Sequence, residues 1–185
     1  MISRKGYKII LVALVLFVGL FVITGCKKDP TAGFKNPKTI EYKTDKGTIK
    51  LSYDDDGNYD VEKNDPYVIL RYRNKNFRID IDYSNNTVKQ QNTTKENFKK
   101  DKNYTIIDNL DFNGYKGYAM VQNEYTTTNV YLVLDEENDI ISNIKVSPIM
   151  TSVATKELDK GTKPADVLFN QEIVQQILKT VQYEK

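Results

Sequence analysis

Histidine and tryptophan are absent from the sequence, and cysteine occurs once, at position 26. Without histidine there is no Ser-His-Asp or Cys-His relay, and nearly all catalytic zinc and non-haem iron sites are excluded with it. A single cysteine cannot close a disulfide, so the core must hold the fold alone. Neither sign of charge prevails: 27 Lys and Arg stand against 25 Asp and Glu, which gives no reason to expect nucleic acid as a partner. The longest apolar run, residues 9–23, has 15 residues. A membrane span needs about 20. What is left is carboxylate, lysine, tyrosine or serine chemistry, with no cofactor or metal expected.

What is present begins with an address. Arg4, Lys5 and Lys8 precede the apolar run, and small residues close it, the pattern of an export signal that is removed. Ile23-Thr24-Gly25-Cys26 resembles the lipobox of bacterial lipoproteins. That resemblance implies cleavage before Cys26, a diacylglycerol with chains such as palmitate on its sulfur, and a domain on the extracytoplasmic face of a bacterial cell membrane. Acyl chains stabilise such residence by about 0.8 kcal/mol per buried methylene. Loss of residues 1–25 removes three basic groups and no acidic one, leaving 24 against 25, close to neutral. Residues 26–38, with Pro30, Gly33 and Pro37 and no apolar period, read as a tethering linker that reaches at most about 40 Å. Residues 39–185 then form one domain.

Along that domain, a strand is expected over 39–53, where Ile49, Leu51 and Tyr53 alternate with polar residues. Asp54, Asp56, Gly57 and Asp60 match inner positions of a calcium loop, but Ser52 and Lys63 stand where its end ligands belong, so the cluster reads as a solvated turn. Residues 68–83 read as a hairpin turning at Lys75-Asn76, which sets Tyr72 opposite Ile79 and Arg71 opposite Asp80. Arg71, Arg73 and Arg78 share its outer face with Asp80 and Asp82. They are candidate contacts for an anionic partner, or simply members of a mixed-charge sheet face.

Thr93 and Glu96 have the spacing of a capping box and predict a short helix to about residue 100, anchored by Phe98. Asn113-Gly114 is the strongest hairpin turn in the chain, joining strands over 104–112 and 115–125. Strands over 130–134 and 140–146 complete a meander, with Pro148 at its end. Residues 150–163 read as an exposed loop. Val167, Phe169, Ile173, Val174, Ile177, Leu178 and Val181 recur at helical spacing and predict one long C-terminal helix over 165–183, laid on the sheet.

The fold class is therefore α+β: a twisted antiparallel sheet packed against a long C-terminal helix and a short middle one. The order of the middle helix, the Asn113-Gly114-Tyr115-Lys116-Gly117-Tyr118 hairpin and the terminal Ile177-Leu178-Lys179-Thr180-Val181-Gln182-Tyr183 segment resembles the Mog1/PsbP-like family. The resemblance implies an α/β/α sandwich and a role as an adaptor or assembly factor. It carries no catalytic residues. A non-enzymatic lipoprotein that binds an envelope protein or component is the first expectation. A LolA-like carrier of lipid, with an apolar cavity between sheet and helix, and a hydrolase built on two carboxylates are the alternatives. The address makes one prediction on its own: Cys26→Ala abolishes acylation, read as loss of the diacylglycerol mass from the protein and retention of the uncleaved leader.

Overall fold

In a computed structural model, residues 29–64 and 67–185 are described. The apolar leader and the lipobox with Cys26 lie outside them. Contacts divide the chain at residue 32, and the fold below is that of Gly33–Lys185.

The chain starts with a hairpin. Strand β1 (Pro37–Thr44) pairs antiparallel with β2 (Gly47–Asp54), setting Ile40 opposite Leu51 and Tyr42 opposite Ile49. The single strand expected over 39–53 is thus two, reversing at Asp45-Lys46 into Gly47, whose φ of 131° suits glycine. β1 also begins two residues inside the expected linker. Next come β3 (Tyr59–Asn64), β4 (Tyr67–Tyr72) and β5 (Phe77–Tyr83). The faces of the β4–β5 hairpin are as expected, but its register differs by two: Tyr72 meets Phe77, Leu70 meets Ile79 and Arg71 meets Arg78. A 3₁₀ turn at Arg73–Lys75 with Asn76 in the left-handed region absorbs four residues where a tighter turn was expected. A shift of two keeps every side chain on its face.

Helix α1 (Val88–Phe98) starts earlier than Thr93. Its cap is Thr87, and Gln90 completes the box reciprocally. Thr93 lies inside the helix, its hydroxyl donating to the carbonyl of Lys89 at 3.1 Å. Two box patterns follow one another, at 87–90 and 93–96, and the first gains a further acceptor because Asp139 Oδ1 takes the N–H of Val88 at 2.9 Å. The meander β6 (Tyr104–Phe112), β7 (Tyr115–Gln122), β8 (Thr127–Asp135) and β9 (Ile140–Pro148) follows, with its turn at Asn113-Gly114 as expected.

The C-terminal part departs most from expectation. Thr151–Asp159, expected as loop, is helix α2. The long helix is broken into α3 (Pro164–Val167) and α4 (Glu172–Leu178), and Gln182–Glu184 is a strand, β10. Unwinding between α3 and α4 turns the adjacent Leu168 and Phe169 both inward. β10 then covers the open edge of β2, Tyr183 opposite Ile49. Buried Thr180 locks this return: its hydroxyl oxygen accepts the N–H of Ser52 at 2.7 Å and lies 2.6 Å from the Ile177 carbonyl. Apolar spacing alone does not report such a competitor for the backbone.

The result is a seven-stranded antiparallel sheet in the order β3-β4-β5-β9-β8-β7-β6 and a small sheet β1-β2-β10. β1 lies against β4, α4 against β2, α3 against β7 and α2 against β9. Together they enclose one core, in which Ile49, Leu51, Leu70, Phe77, Ile79, Ile81, Leu132 and Ile144 are fully buried. Each such side chain contributes about 1.5–3 kcal/mol before entropic costs. Rings of Tyr53, Tyr59, Tyr72 and Phe77 continue the core as a ladder across four strands, with centroids 4.6, 4.3 and 5.5 Å apart. On the opposite face of the large sheet α1 covers only the β6 side. The β3–β4–β5–β9 half of that face is covered by no helix among the described residues.

One contact sets the tolerance of the sheet. β6 carries a bulge between Ile107 and Leu110, with Asn109 at φ 57°, and beside it Gly117 presses on β8. A Cβ at Gly117 would sit 1.8 Å from the Tyr131 carbonyl oxygen. Backbone cannot yield as a flexible side chain does. Gly117→Ala is therefore expected to cost about 3 kcal/mol, seen as a lower urea midpoint at unchanged m-value.

Candidate functional site

The uncovered half-face forms a groove of about 510 Å³. Strand alternation builds it: because Phe77, Ile79 and Ile81 point into the core, Arg78, Asp80 and Asp82 of β5 must point out. β9 supplies Asn143 and Lys145 on the same principle, with Ser147 on the same face outside the lining, and β4 supplies Tyr67, Ile69 and Arg71. Ile69 is an apolar floor residue at 7% exposure, while Tyr67 stands 48% exposed at the rim. Cross-strand neighbours on this face are Arg71 with Arg78, Asp80 with Lys145, Asp82 with Asn143 and Arg78 with Ser147.

Two like charges directly opposite are unfavourable in a sheet. Here each arginine is neutralised sideways: Arg71 pairs with Glu62, and Arg78 Nη2 bonds Asp80 Oδ2 at 2.7 Å. Arg73 is not in the groove. It sits on the turn and pairs with Asp60 at 2.7 Å. The three arginines of the expected strip are thus divided between two places and all are ion-paired, so they do not form a free basic strip. Lys145 has no carboxylate partner among the described residues. Asp82 Oδ1 accepts the Tyr42 hydroxyl at 3.0 Å and the N–H of Tyr83 at 2.7 Å.

What distinguishes the groove is unmet hydrogen bonding. Arg78 Nε, Asp80 Oδ1 and Asn143 Oδ1 in the groove, and Ser147 Oγ beside it on the same face, are buried without a partner among the described residues. All four belong to the adjoining strands β5 and β9. Such atoms cost about 1–3 kcal/mol each unless a ligand or water meets them, and a cluster of them is not a packing accident of one side chain.

The other half of the face, beneath α1, is the contrary case. Gln91, 4% exposed, donates to the Tyr118 hydroxyl at 2.6 Å and accepts from Ser84 Oγ and Asn86 Nδ2, each at 3.0 Å. Burial pushes the Tyr118 hydroxyl up to about 12. Lys95 lies 5.4 Å from the Tyr118 ring centroid and 3.2 Å from Asp108, which Lys99 also holds at 2.9 Å. The cavity left here is about 100 Å³, room for a few waters. This network was not visible in the sequence because the helix was expected to begin after Gln91; Thr87-x-x-Gln90 was the signal that could have revealed it.

The acidic loop after β2 is committed to protein donors. Asp54 Oδ1 accepts the N–H of Lys35 and of Asn36, Asp55 pairs with Lys38, and Asp56 Oδ2 takes the Tyr72 hydroxyl at 2.6 Å. That bond holds the Asp56 carboxyl below its usual range. Among the described residues no three metal-ligating side chains cluster. No helix there is long and apolar enough to cross a membrane.

No family model, curated protein or solved structure matches the chain.

Asp108 provides the pH test of the α1 side. Hydrogen bonding from Lys99 first, then Lys95, depresses its folded-state carboxyl below the unfolded value of about 3.9. Its stabilisation is therefore present above about pH 4 and is lost as pH falls through the lowered folded value. Asp108→Asn is expected to lower stability at neutral pH by about 0.5–1 kcal/mol and to flatten the acid limb of the urea midpoint against pH. An acid limb identical to wild type would remove Asp108 from the account.

Proposed function

We propose that this chain is a lipid-anchored, extracytoplasmic binding module, not an enzyme, and that the β5–β9 groove holds a segment of an envelope protein. The observation that carries this reading is the cluster of unpartnered atoms at Arg78, Asp80, Asn143 and Ser147. Donors and acceptors are both left open, which suits a peptide backbone, and Tyr67 at the rim adds an aromatic contact. Arg71, Arg78 and Lys145 balance Glu62, Asp80 and Asp82, so no net charge is demanded of the ligand. The same balance favours binding over hydrolysis, since each of the groove's carboxylates is engaged by Arg71, Arg78 or Tyr42. Anchoring through Cys26 would raise the effective concentration of the module toward membrane-bound partners.

A Mog1/PsbP-like α/β/α sandwich is consistent with α1 on one sheet face and α2 to α4 on the other, although the broken terminal helix departs from that expectation. The likeness adds a fold-level argument for an adaptor and nothing on residues. A lipid carrier draws less support: the cavity between α1 and the sheet, at about 100 Å³, is small for an acyl chain.

The test places a photo-crosslinking residue at Tyr67 in the full chain, in intact cells, with and without Asn143→Leu/Lys145→Glu. One protein adduct is expected, reduced at least about tenfold by the double variant, equivalent to about 1.4 kcal/mol, at unchanged thermal midpoint. An adduct indifferent to the variant would refute the groove as the site. A glycan in place of a protein would keep the module and change its ligand.

A further inference from the structure

The strand ends of the large sheet fall into two groups. At one end lie the Arg73–Lys75 turn, the β7–β8 turn and the exit of β9, because Tyr72 pairs with Phe77, Phe77 with Pro148, and Thr128 with Val146. This end carries an exposed apolar group. Met150 is 58% exposed, and Ile149, Val153 and Tyr125 are also exposed. The first two are held rigidly: Asn76 accepts the N–H of Met150 at 2.6 Å and donates to its carbonyl at 3.1 Å, and the N–H of Ile149 bonds the Asn76 carbonyl at 3.2 Å. A fixed apolar tip costs free energy in water and saves no loop entropy.

Two further observations say what covers it. Lys75, next to Asn76, and Lys156, one helical turn from Val153, are exposed and have no carboxylate partner among the described residues. They flank the tip with positive charge. The chain also joins the domain here: the N–H groups of Lys35 and Asn36 bond Asp54, the Asn36 carbonyl takes the N–H of Asp55, and the neighbouring Asp56 takes the Tyr72 hydroxyl. Eight residues separate Cys26 from Lys35, a reach of at most about 30 Å. A tether from Cys26 thus enters the domain at this end of the sheet.

We infer that Ile149, Met150 and Val153 dock into the interface of a bilayer with anionic headgroups, with Lys75 and Lys156 on the headgroups. This rests on the lipid anchor proposed at Cys26. Apolar side chains flanked by these two lysines, with Glu124 engaged by Tyr125 at the same end, suit interfacial contact, and each basic group near an anionic surface adds to it. Docking stands the strands upright on the membrane. The groove then opens sideways, its Tyr67 rim farthest from the lipid.

The absence of tryptophan makes the test direct. Met150→Trp and Tyr67→Trp are made separately in the full acylated chain and reconstituted into vesicles of phosphatidylglycerol and phosphatidylcholine. Expected are blue-shifted emission at position 150 with loss of intensity to lipids brominated on their acyl chains, and solvent-like, unquenched emission at position 67. Lys75→Glu/Lys156→Glu should reverse the shift at 150. Solvent-like emission at 150 in protein that floats with the vesicles overturns docking and leaves the anchor standing. Protein that does not float overturns the anchor, and docking with it. A blue shift at 150 without vesicles overturns docking in favour of a contact between two copies of the chain.

Discussion

The pairing of Phe77–Tyr83 with Ile140–Pro148 is the joint on which the molecule depends. It unites two locally built pieces, the hairpins of residues 59–83 and the meander of 104–148, neither of which has a partner for its inner strand otherwise. Seven register pairs close it, and they bring Ile79 and Ile81 against Val146 and Ile144 in the core. Closing a contact between residues about 60 to 70 apart in sequence is entropically costly, and burial of the core face of the joint offsets that cost. The second long return, β10 onto β2 with Thr180 at its hinge, seals the small sheet over that core.

The same joint creates the candidate site. Strand alternation obliges whatever lies between the core residues of β5 and β9 to face outward, and those positions hold Arg78, Asp80, Asp82, Asn143, Lys145 and Ser147. Beneath α1 comparable polar groups are satisfied reciprocally by Gln91 and Tyr118. Beside it they are not. The contrast between a closed polar network and an open one, on a single sheet face, is what singles out the groove. The apolar tip grows from the same strands, at the end where β9 leaves the sheet, so groove and tip keep a constant separation through a rigid sheet.

Much of the local structure was legible beforehand. Alternation at Leu70 and Tyr72 and at Ile79 and Ile81 assigned the correct faces, and Asn113-Gly114 marked its hairpin because its backbone demands φ values that few other pairs tolerate. The first hairpin also has a signal in its phase. Ile40 and Tyr42 are in phase with each other and out of phase with Ile49, Leu51 and Tyr53, which is the mark of a reversal between them. The charge pairing of the arginines was not legible: Arg71 and Arg73 meet Glu62 and Asp60 of β3, a strand that had no clear alternation to announce it, and Arg78 meets Asp80 of its own strand.

By itself, then, the sequence determined the α+β class of structure and the faces of its strands, because these follow from residue type, period and short motifs. Tertiary structure alone decided that the terminal helix breaks so that β10 can cover β2, that β5 lies beside β9, and that four polar atoms there lack partners. Those outcomes arise from backbone groups and side chains far apart in the chain competing for the same hydrogen bonds and the same buried space, and no local pattern records who wins.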